Sequence, residues 1–513
     1  MRFKPSGTMI AEMLDALNAA RSDRTIDYET GIIGAGFGGI LAALELKRAG
    51  RNSFAVFERS QKPGGVWRDN TYPGCACDIR SHLYSISTEP NPSWSSDFAS
   101  QAEILQYLKD VLVRNELQGQ IRYGVEIVMA RFLEAWGCWQ LTDQAGRLCH
   151  VRTLIFAPGS HNRTWIPAVP GLETFHGEMF HSSAWNSAVA LEGQRVAVIG
   201  TGASAIQIVP SIASTVAKLD VFQRTPAWVL PRFNRNITQI ERWLFRHFPA
   251  AQALVRGIIY WILELTGAAF HGNDFLNWLI TQVALLKLAM QVRDPSVRKR
   301  LTPTYKLGCK RVVLSDDFYP AFNRSNVTLH SESIIEINAD GIVTEDGIFH
   351  PADLIVFATG FLVTDMAGYM RIEGRGGRVL NEEWDRDGME AYRGVHVSGY
   401  PNLALLMGPN SGLGHSSVIH VMESQMNYIL KWLEELDKTG PSAYFDVRSE
   451  KQRNYNEELQ HKLAKTVWAS GCSSWYLDRN RRNSTVFPGL TRAYRKATAH
   501  FHGDDYELVK PAN

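Results

Sequence analysis

Apolar positions along this chain fall into two patterns, short unbroken runs that end at glycine or a charge, and longer stretches with helical spacing. The runs are Gly31-Ile-Ile33, Ser53-Phe-Ala-Val-Phe57, Leu154-Ile-Phe156, Arg195-Val-Ala-Val-Ile199, Leu219-Asp-Val-Phe-Gln223 and Asp353-Leu-Ile-Val-Phe357. Runs of this length without polar alternation predict strands buried on both faces, as in a parallel sheet covered by helices. Tyr400–Asn410 reads as a further buried strand, and Ser411–Ser417 then opens a helix over Val418–Leu433. Helical spacing also marks Leu41–Lys47 and Ala102–Arg114, and Met9, Ile10, Met13, Leu14 and Leu17 predict a short amphipathic helix before the first strand.

Residues 233–308 change character. Ile237, Ile240, Leu244 and Phe248 share one helical face, and Phe275–Leu288 repeats the spacing with Trp278, Leu279, Val283 and Leu286. This predicts a helical insert packed on the α/β core and shaping a pocket. Its longest uncharged run, Phe275–Leu286, is about a dozen residues, short of the roughly 18–20 that span a bilayer. No transmembrane segment is expected, and peripheral membrane contact is left open.

Composition narrows the classes. With 513 residues, 45% hydrophobic and 21% charged, the chain resembles an ordinary globular protein of several domains. A net charge of +2 gives no argument for nucleic acid. Glu12 and Asp15 interrupt the N-terminal stretch, which lacks a signal-peptide core. Six cysteines are too sparse for a disulfide framework, so a reduced, cytoplasmic setting is expected. Cys75 and Cys77 have no partner pair for zinc, no metal is expected, and no C-x4-C redox motif is present.

The chemistry enters where strands meet glycine. Gly34-x-Gly36-x-x-Gly39 and Gly200-x-Gly202-x-x-Ala205 each follow an apolar run and precede a helix. Such turns let a pyrophosphate approach backbone N–H groups at a helix N-terminus. In each half a charged residue follows the first glycine by 24 positions, Glu58 in one and Arg224 in the other. A carboxylate there accepts ribose hydroxyls, whereas an arginine fork binds a 2′-phosphate. The fold class expected is therefore α/β, with two Rossmann-like dinucleotide-binding domains, one for FAD and one for NADPH, and a helical insert in the second.

Between the two turns stands Phe175-x-Gly177-x-x-x-His181-x-x-x-Trp185. This spacing resembles the fingerprint of the Baeyer–Villiger monooxygenases, although Asn186 stands where that family usually has Pro or Asp. The resemblance extends over residues 28–508. Gly64-Gly65-Val-Trp67 and Tyr72-Pro-Gly-Cys-Ala-Cys-Asp78 are similar to segments that wrap a flavin ring, with Asp78 facing the reaction centre. Val221–Pro226 is similar to the family's 2′-phosphate segment, which adds Thr225. Gly308-Cys-Lys310-Arg311 matches a context in which the Lys reaches the NADP phosphate and the Arg reaches the flavin's reactive edge. Gly471-Cys-Ser-Ser-Trp475-Tyr476 resembles a loop near substrate or nicotinamide, while His415 reads as a structural loop residue.

What the resemblance implies is an enzyme that uses NADPH to reduce FAD, adds O2 to the reduced flavin, and directs the flavin-borne peroxide at a ketone. The product would be an ester or lactone, and the aromatic insert leans toward a bulky, apolar ketone. Oxidation at sulfur or nitrogen is the alternative within the enzyme class; a flavin- and NADPH-binding sensor without turnover is the alternative outside it. Expected catalytic residues are Arg311 and Asp78, with Phe175, Gly177, His181 and Trp185 as a conformational linker. Boundaries are expected at 1–165 (FAD, first part), 166–232 (NADPH, first part), 233–308 (insert), 309–365 (NADPH, return) and 366–513 (FAD, second part).

Overall fold

The structure, a computed structural model, describes residues 25–472 and 474–511. The helix expected around Met9–Leu17 lies outside the described residues. The chain first forms six strands, β1 (Tyr28–Ile33), β2 (Phe54–Glu58), β3 (Ile121–Tyr123), β4 (Ile127–Leu133), β5 (Cys138–Asp143) and β6 (Leu148–Phe156). Five strands of a second sheet follow, β7 (Glu178–His181), β8 (Arg195–Ile199), β9 (Lys218–Phe222), β10 (Val327–His330) and β11 (Leu354–Phe357), with smaller two- and three-stranded sheets besides. Two short ones come late, β12 (Arg371–Glu373) and β13 (Leu403–Leu405).

These strands make two large sheets. The first has eight strands in the order β12-β4-β5-β6-β1-β2-β3, with β13 also paired to β6. Its β6-β1-β2-β3 portion is parallel, and β4-β5-β6 is an antiparallel meander. The second sheet has five strands, all parallel, in the order β10-β9-β8-β11-β7. Every residue of β2 is buried, as are all of β11 and four of five in β8 and β9, which is why those runs carry no polar alternation.

The helices that matter here are α1 (Phe37–Arg48), α2 (Gln101–Arg114), α3 (Ala205–Ile212), α4 (Gln239–His247), α5 (Pro249–Gly267), α6 (Asp274–Gln291) and α7 (Val418–Asp437); a helix over Ser449–Leu463 and several shorter ones complete the set. α1 and α3 begin directly at the glycine turns after β1 and β8. In register, Ile33 lies beside Phe57 and Phe156, and Ile199 beside Phe222 and Phe357. Both turns therefore leave the carboxyl ends of parallel strands, the edge at which open α/β sheets bind ligands.

Glycine is needed at the first turn for a steric reason. Gly34 has φ +95°, and a Cβ there would sit 2.7 Å from the Ala157 carbonyl oxygen. A Cβ on Gly39 would sit 1.7 Å from the carbonyl oxygen of Gly34, so α1 cannot pack this closely on its own strand with a side chain at that position. The second turn is looser: Ala205 is fully buried at the equivalent place.

Three details differ from the sequence expectations. Gly64–Trp67 is not wholly a loop, because Val66–Asp69 closes one helical turn. The strand expected over Tyr400–Asn410 is only Leu403–Leu405; Met407 and Asn410 adopt φ of +59° and +52°, which ends it. Phe175–Trp185, expected as a linker, contains β7, an edge strand of the second sheet whose His181 pairs in register with Phe357.

The insert is helical as expected, but of its expected apolar positions only Ile237 is buried. Ile240, Leu244, Phe248, Trp278, Leu279, Val283 and Leu286 are all exposed. Counting uninterrupted runs also missed that Pro249–Phe270 forms 22 helical residues that are, by length and composition, apolar enough to cross a bilayer, with 28% of the most apolar stretch buried.

Substituting Gly39→Ala should lower stability by about 1–3 kcal/mol or more through overpacking. Gly119→Ala, whose Cβ would meet nothing within 4 Å, should leave the thermal unfolding midpoint essentially unchanged. Equal midpoints for the two variants would show that the α1–β1 contact is not tight.

Candidate active site

Between the carboxyl edges of the two sheets lies one cavity of about 1230 Å³. It reaches Gly34, Gly36, Glu58, Gly65, Trp67 and Tyr72 on the side of the first sheet. On the other side it reaches Gly200, Gly202, Arg224, Thr225, Lys310 and Arg311, with Asp78 and Trp475 between. Gly39, Ala205, Phe175, Gly177, His181 and Trp185 do not line it. Gly39 and Ala205 serve the packing of α1 and α3, and a Cβ on Gly177 would sit 2.3 Å from the Asp353 carbonyl oxygen.

The first turn is a cradle without side chains. No side chain caps α1, whose N-cap is Gly36, and a Cβ on Gly65 would lie 3.1 Å from the Gly36 Cα. Glu58 closes the cradle. Its Oε2 accepts from Ala35 N at 2.8 Å, and its Oε1 accepts from Ser60 N and Arg68 Nη1, each at 2.9 Å. A carboxylate has about four lone-pair sites, so room remains for a ribose hydroxyl. Trp67 donates its indole N–H to Tyr84 Oη at 3.1 Å. The second turn is more open still, since a Cβ on Gly202 would meet nothing within 4 Å.

The segment Tyr72–Asp78 bridges the two sheets. Tyr72 donates its hydroxyl to Gln207 Oε1 at 3.1 Å, and Gln207 Nε2 donates to the Ala76 carbonyl at 2.9 Å. Gln207 belongs to α3, so this loop is fastened to the second half. Gly74, at φ +80°, allows the approach: a Cβ there would lie 2.8 Å from the Gln207 carbonyl oxygen. Arg232 Nη2 donates to the Cys77 carbonyl at 2.9 Å and holds the loop from the other side.

At the end of this loop Asp78 accepts from Arg311 Nη2 in a short ion pair. Their side chains keep 26% and 36% of their exposure, so the pair faces the cavity rather than being sealed. Burial would raise the Asp78 carboxyl, but Arg311 outweighs it and holds it below the ordinary carboxylate range. Asp78 in turn pushes the Arg311 guanidinium further up. The guanidinium stays charged, and the carboxyl is held toward its ionised form beside it.

Lys310, next in sequence, points another way. Its Nζ lies 5.2 Å from the centre of the Tyr305 ring. Burial, and then the neighbouring Arg224, push its pKa down. Two adjacent cations that disfavour each other fit a site for an anion, and a phosphate would satisfy both.

Sequence reasoning missed His161, Phe361 and Tyr476. The His161 ring packs 5.2 Å from Phe361 and 6.3 Å from Trp475. Burial and Arg311 lower its pKa to about 4, so it is neutral beside the ion pair. Tyr476 is pushed up to about 12, chiefly by burial. The signal for His161 was its position, two residues past the glycine that ends the β6 run. His181 is hydrogen-bonded through Nε2 with the Gly360 carbonyl at 3.0 Å and through Nδ1 with Ser183 Oγ at 2.8 Å. Trp185 packs near the second-sheet core, 5.1 Å from Phe180. His415 is buried beside Glu264, 3.3 Å away, and also lines the cavity.

The cysteine expectation is corrected. Cys309 and Cys472 form a disulfide, with Cα atoms 6.2 Å apart. It joins the segment of Lys310 and Arg311 to the loop of Trp475, and it removes the cysteine argument for a reducing, cytoplasmic setting. Counting cysteines could not show that two so distant in sequence meet. Among the described residues, Asp220, His330 and His350 bring ligand atoms within 4.8 Å of one another. They already have partners: His330 Nε2 with Asp220 Oδ1 at 2.8 Å, Lys218 with Asp220 at 3.0 Å, and Thr344 Oγ1 with His350 Nε2 at 2.9 Å.

One cavity thus joins the two glycine turns, with an Arg–Asp pair between them. The chain belongs to the flavin-binding monooxygenase-like family, whose sequence profile matches residues 28–365. It is 43% identical over 484 residues to a Baeyer–Villiger monooxygenase of Streptomyces coelicolor, covering 94% of this chain and 92% of that one. It is 42% identical over 480 residues to a Baeyer–Villiger monooxygenase of Pseudomonas aeruginosa, covering 93% and 91%. The crystal structure of OTEMO in complex with FAD and NADP superposes with a TM-score of 0.85 at 26% identity, covering 95% of this chain and all (100%) of that one.

The disulfide gives a direct test. Protein denatured without reductant should titrate four thiols, Cys75, Cys77, Cys138 and Cys149, and six after reduction. Six thiols before reduction would mean that Cys309 and Cys472 are not joined in the isolated protein.

Proposed function

We propose that this chain is an FAD- and NADPH-dependent monooxygenase that converts a ketone to an ester or lactone. The observation that carries the proposal is the Arg311–Asp78 pair facing the cavity where the two glycine turns converge. The family membership and the Baeyer–Villiger relatives support the same reading. On this reading the half with Gly34, Gly36, Gly39, Glu58, Gly65, Trp67 and Tyr72 holds FAD. The half with Gly200, Gly202, Ala205, Arg224, Thr225 and Lys310 holds NADPH, the two cations taking the 2′-phosphate. On the same reading the domains keep the boundaries expected from sequence.

FAD, when bound, supplies a hydride acceptor that in its reduced form activates dioxygen. The chain's own groups do the rest. Attack on a carbonyl needs an anionic oxygen, which in an apolar cavity would pick up a proton. The Arg311 guanidinium stays charged and can hold such an anion, then the negative charge that develops on the ketone oxygen. Asp78 keeps Arg311 aimed into the cavity, and the neutral His161 adds no competing charge. Leu263, Phe270, Ile280 and Val283 line the cavity on the insert side, which supports a bulky, apolar ketone. His181 ties β7 to Gly360 of the return segment, and this supports a part for Phe175, Gly177, His181 and Trp185 in setting how the second half sits.

Arg224→Ala should lower the NADPH preference over NADH, measured as the ratio of kcat/KM values, about ten- to a hundredfold. That corresponds to about 1.5–3 kcal/mol for one charge-assisted phosphate contact. An unchanged ratio would remove Arg224 from the coenzyme site.

Arg311→Ala should retain FAD, seen in its absorbance, and should still be reduced by NADPH, more slowly. Ester formation should fall about a hundredfold or more, the range for losing a group that stabilises developing charge, with consumed O2 appearing as hydrogen peroxide. Near-normal ester yield from a ketone panel would end the assignment of the reacting edge.

A further inference from the structure

The insert helices turn much of their apolar surface outward. A surface helix ordinarily turns its apolar stripe to the core and its polar face to water. In α5 the buried positions are Gln252, Ile259, Glu264 and Gly267, with Arg256 half-buried, while Leu254, Ile258, Trp261, Ile262 and Leu265 are exposed. The first and last of these are not marginal, with Leu254 66% and Leu265 68% exposed. The buried polar groups have partners in the protein body. Gln252 Nε2 donates to the Asn91 carbonyl at 2.7 Å, Arg256 Nη1 to the His82 carbonyl at 2.8 Å, and Glu264 Oε1 accepts from Thr491 N at 2.9 Å.

α6 follows the same pattern. Its buried positions are Asn277, Ala284, Lys287 and Leu288, and Asn277 and Lys287 donate to the carbonyls of Leu307 and Ser315. Phe275, Trp278, Leu279, Leu286 and Met290 are exposed, Phe275 at 73% and Met290 at 77%. α4 adds exposed Ile240, Trp243 and Phe248. Scattered surface apolar residues are unremarkable, but aligned apolar faces on three successive helices mark a surface that is covered in use.

Composition says what covers it. Each helix contributes one exposed tryptophan, Trp243, Trp261 and Trp278, a residue suited to the interface between headgroups and acyl chains. The ends of the patch are basic: exposed Arg246 and His247 close α4, and exposed Arg293 and Lys299 follow α6. The acids nearby are engaged, Glu241 with Arg235 at 2.8 Å, Asp274 with Lys306 at 2.6 Å, and Asp294 accepting from Ser296 N at 2.7 Å. Apolar helix faces with aromatic residues and a cationic border have the composition of an interfacial anchor on anionic lipid. The partners of Gln252, Arg256 and Glu264 keep α5 on the protein, so it lies on a bilayer and does not cross one.

We propose that the outward faces of α4, α5 and α6 dock this enzyme on an anionic lipid surface. The cavity agrees with this orientation: Leu263, Thr266 and Ile280, on the same helices, line it, and so does Val283, itself 44% exposed. A second copy of the chain seated on this face would cover that wall, whereas a bilayer would place lipophilic solute beside it. The delivery of substrate from lipid rests on the function proposed above; the docking does not.

The test uses the full-length, FAD-loaded protein and vesicles of phosphatidylcholine with phosphatidylglycerol. The wild type should co-float with the anionic vesicles, bind pure phosphatidylcholine less, and lose tryptophan fluorescence when the acyl chains carry bromine. Ile258→Glu/Trp261→Glu should bind at least about tenfold more weakly while keeping its flavin absorbance and ketone turnover in solution. Trp278→Ser, a milder change, should weaken binding by a smaller factor and serves if the double variant does not fold. Absence of wild-type binding and quenching would overturn the proposal. So would a wild-type dimer, seen by ultracentrifugation, that the double variant abolishes while neither protein binds vesicles; the face would then join two copies.

Discussion

Asp78 and Arg311 come from segments far apart in sequence, one following the first sheet's opening strands and the other leading back toward the second sheet. Their ion pair holds only because the loop that ends in Asp78 is already fastened to α3 through Gln207 and to Arg232. Gly74 makes that fastening possible, since any side chain there would strike the α3 backbone. The cavity's chemistry thus depends on a loop from one half being held by the other. An arginine fixed from one side alone would sample many rotamers; the carboxylate restricts it without neutralising its capacity to meet a further anion.

The disulfide between Cys309 and Cys472 acts on the same region from the opposite direction. It fixes the backbone immediately before Lys310 and Arg311 to the loop that carries Trp475 and Tyr476. Lys310 and Arg311 can then diverge, one toward Tyr305 and Arg224 and the other toward Asp78. Adjacent residues that serve two ends of one cavity need such a rigid base.

Much of the α/β architecture was legible because buried parallel strands leave unbroken apolar runs, and the turns after β1 and β8 show their glycines directly. Which residues share one cavity was legible only through the motifs that carry them; His161, with no motif of its own, was not. Edge strand β7 was hidden because its four residues lack a distinct pattern and are held by pairing to β11. The insert misled most. Spacing correctly showed helices, but periodicity cannot tell which side of a stripe meets the protein. That choice was made by Gln252, Arg256, Glu264, Asn277 and Lys287, whose partners lie in distant segments.

The first sheet is assembled from both ends of the chain, with β12 and β13 arriving only after the whole second sheet has been passed. On a ribosome, β7 to β11 can therefore pair while the first sheet still lacks the strand beside β6 and the helix α7. Until α7 emerges, Met422 is missing from its place over Gly38, where a Cβ would come within 3.5 Å of the methionine sulfur. Domains generally fold as units during synthesis, and here the half begun first is finished last. The nascent protein spends most of its synthesis with β1, β2 and α1 made but uncovered on one face, and that interval is when such a chain most needs protection from aggregation.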